Sequence, residues 1–179
     1  MPLEIAQLGQ PVLRQVAVEV APEKIARTQI QEFIDMMKET LGESKGVGLA
    51  APQVFVSLRI FLAGINPPAN EDEMPGMEVC INPRLTTLTE ERDSDWEGCL
   101  SFPELLVKVP RFRAVRLEYL TADGSPRTRD LEGFEARVVQ HELDHLDGVL
   151  TLDRALSTRD IIKASELEAI EPKKDDEEA

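Results

Sequence analysis

The sequence predicts an α+β fold in which antiparallel β-sheets surround one central helix. Apolar residues recur at helical spacing over about 133–147, and segments with β-strand patterning lie before that helix instead of alternating with several helices. An Asp123-Gly124 pair between two of these segments is typical of a tight hairpin turn, which joins antiparallel strands. Strands placed before and around one helix favour α+β over a parallel α/β sheet.

The composition is that of a single acidic domain. The chain has 179 residues, of which 42% are hydrophobic, and this suits one domain with a substantial core over residues 1–170. Thirty-four acidic and twenty basic residues give a formal charge of −14. No Lys/Arg-rich block is present, so we do not expect nucleic acid as the main partner.

The expected location follows from two further features of the sequence. No apolar run approaches the roughly 20 residues that a membrane-spanning helix needs, and the first residues lack the basic and apolar regions of a signal peptide. The only cysteines are Cys80 and Cys99, which makes a disulfide framework implausible. We therefore expect a cytoplasmic protein that contacts no membrane.

The N-terminal part is expected to hold a short turn at 11–14 and then one helix. Thr28 and Gln31 have the spacing of a capping box that opens a helix, and Gly42 lies near its end. Between these positions the apolar residues keep a single stripe, which comprises Ile30, Phe33, Ile34, Met37 and Leu41.

Five segments with β-strand patterning follow, at 56–63, 77–82, 107–109, 114–120 and 127–131, with an exposed loop at 66–76. The central helix then ends at Gly148. Ser157 with Asp160 resembles the capped start of a C-terminal helix that extends to about Ala169. Residues 171–179 form an acidic tail that we expect to be disordered.

Both histidines of the chain lie on the predicted central helix. His141 and His145 are four residues apart, which places both imidazoles on one helical face. With Glu142 they form a His-Glu-x-x-His pattern, which can give a divalent metal two nitrogen ligands beside a carboxylate. The alternative is a chance match on a solvated helix. The apolar pattern of this helix, and the absence of any other histidine, favour the metal site.

A catalytic metal needs at least one more protein ligand, and the residues alone leave several candidates. Metzincin proteases place a third histidine where this chain has Thr151, which cannot replace an imidazole. Thermolysin-like proteases use a glutamate from a later helix, for which Glu166 or Glu168 could serve. Cys99 is the remaining candidate, because a thiolate binds zinc or ferrous iron strongly.

Three motifs of the chain resemble those of the peptide deformylases. That family is marked by G-h-G-h-A-A-x-Q, E-G-C-h-S and Q-H-E-h-D-H, where h is apolar. Here they stand in the same order as GVGLAAPQ at 46–53, EGCLS at 97–101 and QHELDH at 140–145. The resemblance spans roughly residues 3–155 and implies hydrolysis of the formyl group of N-terminal formylmethionine, with release of formate.

The resemblance also implies residue roles. Glu142 would be the general base and later the general acid, while Gln53 and the backbone N–H of Leu100 would stabilise the developing oxyanion. Gly48 would confine the reacting carbonyl together with Leu100, so that formyl is accepted and acetyl is not. The metal would be bound, with water as a fourth ligand, by Cys99, His141 and His145.

For the substrate, the segment from Gly46 to Gly48 would pair with the peptide backbone like an added strand. The methionine pocket would be walled by Val47, Phe134 and Val138, although each could equally be plain core. Two further roles stay open. Arg137 could lie near this wall or point to solvent, and Asp144 could orient a metal ligand, pair with Arg111 or lie on a solvated face.

The resemblance implies one divalent metal ion, with Fe²⁺ as the native metal and Zn²⁺, Ni²⁺ or Co²⁺ able to replace it in purified protein. The expected partners are N-formylmethionyl nascent peptides, and we expect a monomer. A transient contact with the ribosome stays open, because this tail is acidic whereas some relatives carry a basic extension. Two alternatives are an HExxH zinc endopeptidase and a catalytically silent metal-binding homologue.

Overall fold

The computed structural model describes residues 2–44, 46–66 and 76–170. Its helices are α1 (Pro22–Ile25), α2 (Thr28–Ser44), α3 (Gly133–Leu146), α4 (Thr151–Arg154) and α5 (Leu167–Ile170). Its strands are β1 (Gly48–Ala50), β2 (Ile60–Asn66), β3 (Gly76–Thr87), β4 (Arg92–Gly98), β5 (Leu105–Phe112), β6 (Ala114–Leu120), β7 (Pro126–Glu132) and β8 (Ile161–Lys163). Short 3₁₀ helices lie at Pro11–Arg14, Ala51–Val54, Thr158–Asp160 and Ala164–Glu166.

The strands form two antiparallel sheets, with the order β1-β2-β3-β6-β7 in one and β4-β5-β8 in the other. Helix α3 packs against β1 and β2 of the first sheet and against β5 of the second. The predicted α+β arrangement of antiparallel sheets around one central helix is therefore what the chain adopts. None of the helices within the described ranges is long and apolar enough to cross a membrane.

Strand β2 is buried on both faces because a helix covers each of them. Phe61 and Ala63 share a core with residues of α3, among them Val138 and Val139. The alternate residues of β2 pack instead with α2, in a second core that includes Ile60, Leu62, Ile34, Met37 and Leu41. A strand covered on both faces shows a continuous apolar run and no alternation, which explains its sequence.

The predicted N-terminal helix is confirmed as α2, but the role assigned to its capping residue is wrong. The Gln31 side chain donates hydrogen bonds to the carbonyl oxygens of Ile25 and Ala122, both at 2.8 Å, and so ties the helix start to a distant turn. The helix also continues past Gly42 to Ser44. A single glycine in a helix costs about 1 kcal/mol, which packing of the apolar stripe offsets here.

The strand predictions are partly confirmed. The segments at 114–120 and 127–131 correspond to β6 and β7, and the hairpin between them turns at Gly124 with φ +84°. The first predicted strand, at 56–63, corresponds to β2 and begins four residues later than predicted, at Ile60. Strand β3 continues beyond the predicted 77–82 to Thr87. Strand β4 was not predicted because most of its side chains are polar and exposed, so no apolar alternation marks it.

The predicted C-terminal helix is confirmed only as the short α5, Leu167–Ile170, and its predicted start at Ser157 is wrong. The Ser157 hydroxyl accepts a hydrogen bond from the Arg159 N–H, but it caps only a three-residue 3₁₀ turn. Ile161–Lys163 then adds to the edge of β5, and helix α5 is limited to Leu167–Ile170. Two adjacent β-branched residues favour the strand, which also satisfies backbone groups on that edge. The predicted acidic tail and most of the predicted loop at 66–76 lie outside the described residues.

Candidate metal centre and substrate pocket

Helix α3 presents both histidines to the interior. His141 and His145 are buried, and their Nε2 atoms are 3.2 Å apart. The helix ends before Gly148, which has φ +72°. An alanine Cβ at this glycine would lie 2.7 Å from the carbonyl oxygen of Arg14, so the chain could not turn here with a larger residue.

The end of β4 brings a thiol to the two imidazoles. The Cys99 Sγ lies 3.3 Å from His145 Nε2, and the three ligand atoms lie within 4.8 Å of one another. Among the described residues this is the one such group of three His, Cys, Asp or Glu side chains. Glu166 and Glu168, the ligand candidates for a thermolysin-like site, are exposed and lie outside it.

The donor set suits a divalent metal of borderline or soft character, such as zinc or ferrous iron. Burial and the neighbouring His141 hold the pKa of His145 well below its usual range, which keeps the imidazole in the neutral form that binds metals. The Nδ1 atom of His141 is bonded to a carboxylate, so its Nε2 is directed to the cluster. These residues therefore fit a metal site.

That carboxylate belongs to Glu97, a residue of β4 whose role was not predicted from the sequence. One of its oxygens accepts from His141 Nδ1 at 3.0 Å, and Arg111 donates to both oxygens at 2.9 and 3.0 Å. Burial raises the pKa of Glu97, but the hydrogen bonds from His141 and Arg111 outweigh it and lower the pKa to about 2. The sequence did hold one indication that Glu97 belongs to the site, because it is the first residue of the EGCLS motif.

Glu142 follows His141 on the helix and is turned against β1. It is only 3% exposed, and its Oε2 atom has no hydrogen-bond partner among the described residues. Burial raises the pKa of its carboxyl to about 7. The opposite wall is Gly48, where an alanine Cβ would lie 2.1 Å from Glu142 Oε1. The glycine therefore leaves the space that the carboxylate occupies.

The Gln53 amide is oriented by hydrogen bonds at both ends. Its Oε1 atom accepts from the Ala50 N–H at 2.9 Å, and its Nε2 atom donates to the Ser101 hydroxyl at 3.2 Å. The same Nε2 lies 3.6 Å from Cys99 Sγ. The amide donor is thus held beside Cys99, one of the three candidate ligands.

The three motifs meet around a cavity of about 370 Å³. Phe134 stands half-exposed at its rim, whereas Val138 is buried and belongs to both the cavity wall and the core. Ten of the predicted site residues line this cavity: Gly46, Val47, Gly48, Gln53, Cys99, Leu100, Phe134, Val138, His141 and Glu142. His145 is the one predicted site residue that does not line it, and its Nε2 atom lies 3.2 Å from that of His141.

A sequence model described as polypeptide deformylase matches residues 2–160 of this chain. The chain belongs to the peptide deformylase family. It is 41% identical over 170 residues to peptide deformylase 2 of Nostoc sp., covering 94% of each chain. It is 42% identical over 154 residues to the peptide deformylase of Fusobacterium nucleatum, covering 86% of this chain and 84% of that one.

Solved deformylase structures share the fold. The structure of peptide deformylase from Thermotoga maritima superimposes with a TM-score of 0.79 at 38% identity, covering 88% of this chain and 99% of that one. A class I type b peptide deformylase from Acinetobacter baumannii with Met-Ala-Ser bound has a TM-score of 0.79 at 34% identity, covering 86% of this chain and 98% of that one. The family predicted from the three motifs is therefore confirmed.

Deformylases are metal-dependent hydrolases that remove the formyl group from N-terminal methionine, and this chain is one of them.

The structure also places Arg137 and Asp144, two side chains whose roles the sequence left open. The Arg137 side chain lines the cavity, while its guanidinium donates to Glu97 Oε1 at 2.8 Å and to the Val109 carbonyl oxygen at 2.8 Å. Asp144 pairs with Arg111 at 2.6 Å, which is one of the three roles that the sequence left open.

Proposed function

We propose that this deformylase binds one divalent metal through Cys99, His141 and His145 and uses Glu142 as its acid–base group. The observation that carries the proposal is the meeting of three ligand atoms within 4.8 Å beside the buried Glu142 carboxylate, one oxygen of which has no hydrogen-bond partner in the part of the chain that the structure describes. A charged or polar group buried without a partner is costly in a purely structural role, and such groups cluster at functional sites.

A bound metal would act as a Lewis acid, polarising the formyl carbonyl and lowering the pKa of water at the site. We propose Fe²⁺ as the native ion, with Zn²⁺, Ni²⁺ or Co²⁺ able to occupy the same ligands in purified protein. Two imidazoles and a thiolate form a donor set that all four ions accept. Glu97 would hold the His141 ring in place, since its carboxylate bonds the nitrogen that does not face the cluster.

Glu142 performs the proton transfers in this mechanism. Its carboxylate accepts a proton from the attacking water as the water oxygen bonds to the formyl carbon. It then returns the proton to the leaving nitrogen as the C–N bond breaks, which yields formate and a free N-terminal methionine. A pKa of about 7 suits a group that both accepts and returns a proton near neutral pH.

Two donors would stabilise the negative charge that develops on the formyl oxygen. One is the Gln53 amide, which Ala50 and Ser101 already hold in position. The other is the backbone N–H of Leu100, the residue that follows Cys99. Each such donor contributes about 3–4 kcal/mol to transition-state stabilisation in comparable sites.

The substrate peptide would add to the first sheet at β1. This strand lies at the end of the sheet and, among the strands of the described ranges, pairs only with β2, so its other edge can accept an extended peptide. The methionine side chain would enter the cavity between Val47, Phe134 and Val138. Gly48 and Leu100 would leave room for a hydrogen on the reacting carbonyl and none for a methyl group.

We propose that the enzyme acts as a monomer on nascent peptides, with at most a transient ribosome contact.

The test combines formate release with metal content. Protein purified anaerobically with iron should release formate from a formyl-methionyl peptide and should leave casein intact. Cys99→Ala should lose stoichiometric metal, whereas the matched controls Glu166→Ala and Glu168→Ala should retain it. Full metal occupancy in the Cys99 variant would contradict the ligand set, and casein cleavage would favour an endopeptidase. Metal binding without formate release would identify a silent homologue.

A further inference from the structure

A continuous chain of hydrogen-bonded charges runs from His141 to the protein surface. His141 Nδ1 is bonded to Glu97 at 3.0 Å, and Glu97 accepts from Arg111 at 2.9 and 3.0 Å. Arg111 donates its remaining Nη1 to Asp144 Oδ2 at 2.6 Å. Asp144 in turn accepts from Arg154, at 3.1 Å from Nε and 2.6 Å from Nη2. All links but the last are buried.

Arg111 is the element that transmits orientation along this chain. Its guanidinium is planar, and carboxylates hold it at both ends, with Glu97 on the Nε edge and Asp144 on Nη1. Rotation of the guanidinium plane would break bonds on both sides at once. Two groups therefore set the direction of the Glu97 carboxylate, and with it the rotation of the His141 ring: Arg137, which donates to Glu97 Oε1 at 2.8 Å, and Arg111, whose own orientation depends on where Asp144 is held.

Asp144 depends on Arg154 for its own position. It lies on α3 directly before His145, with its carboxylate turned away from the ligand cluster and towards Arg111 and Arg154. The Arg154 side chain projects from α4 and is 48% exposed. Helix α4 is itself held in place, because it packs against β5, its Thr151 is buried and its Asp153 pairs with Arg14. The outermost member of the chain is thus a surface residue on a fixed support.

We propose that Arg154 is a positioning residue for the metal ligand His141, acting through Asp144, Arg111 and Glu97. The inference rests on the proposed metal site. A two-point contact from Arg154 fixes both oxygens of Asp144, so that one oxygen stays aligned with Arg111. Without the contact from Arg154, the Asp144 carboxylate can rotate. Arg111, Glu97 and the His141 ring are then held less firmly in orientation.

Arg154 is also the member of the chain that can be changed without leaving a buried charge unpaired. Removal of Arg111 would leave the buried carboxylates of Glu97 and Asp144 without the cation that joins them, which is strongly destabilising, so such a variant could fail to fold. In Arg154→Gln, Asp144 still has Arg111. Arg116→Gln is the matched control, because Arg116 makes the same two-point contact with Asp130, at 2.7 and 2.8 Å, and is 47% exposed on the β6–β7 surface.

The experiment measures metal binding to the full chain after the metal is stripped and replaced by Zn²⁺ or Co²⁺. Direct hydrogen-bond partners of metal ligands change affinity by about 10–100-fold, so the more remote Arg154→Gln should weaken Zn²⁺ binding by about 3–10-fold in chelator competition. It should also shift the visible absorption bands of the Co²⁺ form. Arg154→Lys keeps the positive charge but cannot make the two-point contact, so its Zn²⁺ affinity should lie between those of Arg154→Gln and the unchanged chain.

Equal affinities and identical Co²⁺ spectra in Arg154→Gln and Arg116→Gln would overturn the proposal. In an Asp144→Asn background, Arg154→Gln should cause no further loss of affinity, and a full further loss would show that Arg154 acts by another route. If the unchanged chain failed to bind one equivalent of Zn²⁺, the proposed metal site itself would be wrong.

Discussion

Replacement of Gly48 by alanine should displace the catalytic carboxylate. The added Cβ would lie 2.1 Å from Glu142 Oε1, whereas ordinary contacts begin at 3.4 Å, so the carboxylate must move by about 1.3 Å. A displacement of about 1 Å can cost on the order of 10²-fold in rate, and we expect a loss of that size in kcat/KM. The stability loss should be nearer the lower end of about 1–3 kcal/mol, because the displaced atoms end a side chain.

The assay is formate release from a formyl-methionyl tripeptide, with metal content and urea unfolding measured on the same samples. Gly42→Ala is the control, since its Cβ would meet nothing within 4 Å. Glu142→Asp withdraws the carboxylate by one methylene, so Gly48→Ala should destabilise the protein less in that background. Unchanged kcat/KM in Gly48→Ala with full metal content would refute the proposed position of the acid–base group.

Three further predictions follow from the site and its support. Glu142→Gln should keep its metal but lose at least about 10²–10⁴ in kcat, and loss of the metal as well would make Glu142 a ligand. Gly148→Ala should cost about 2–5 kcal/mol in urea unfolding, because it combines left-handed strain with a 2.7 Å contact to the Arg14 oxygen. Gly124→Ala, with the same strain but its nearest contact at 3.9 Å, should cost only about 1–2 kcal/mol, and equal losses would contradict the steric argument. The iron form should lose activity in air as iron or Cys99 oxidises while the nickel form does not, which a time course with mass spectrometry of the Cys99 peptide would check. Equal persistence of both forms would argue against iron as the native metal.

Local periodicity determined the features that the sequence predicted well. The apolar stripe that marks α2 and the four-residue spacing of His141 and His145 depend on helical geometry alone. Gly124 and Gly148 mark turns for a similar reason, because their positive φ angles are properties of single positions. The three motifs added the family, since each consists of a few consecutive residues that can be recognised without knowing where the chain goes.

Competition between local and tertiary interactions explains the errors. Ser157 and Asp160 have helix-capping spacing, yet Ile161–Lys163 pairs with the edge of β5 as a strand. Gln31 has the spacing of a capping box, yet its amide reaches Ala122 on a distant turn. In both places the deciding partner lies far away in the sequence, and no short window of sequence contains it.

By itself, the sequence determined the metal-motif helix, the family and the three segments that could form a site. Only the tertiary structure decided which distant groups meet there. It places Cys99, 46 residues before His145, at 3.3 Å from that imidazole, and it leaves Glu166 and Glu168 at the surface. It also gives Glu97 its contact with His141. Donor atoms far apart in sequence become neighbours only through the path of the whole chain, which the packing of two sheets against α3 sets.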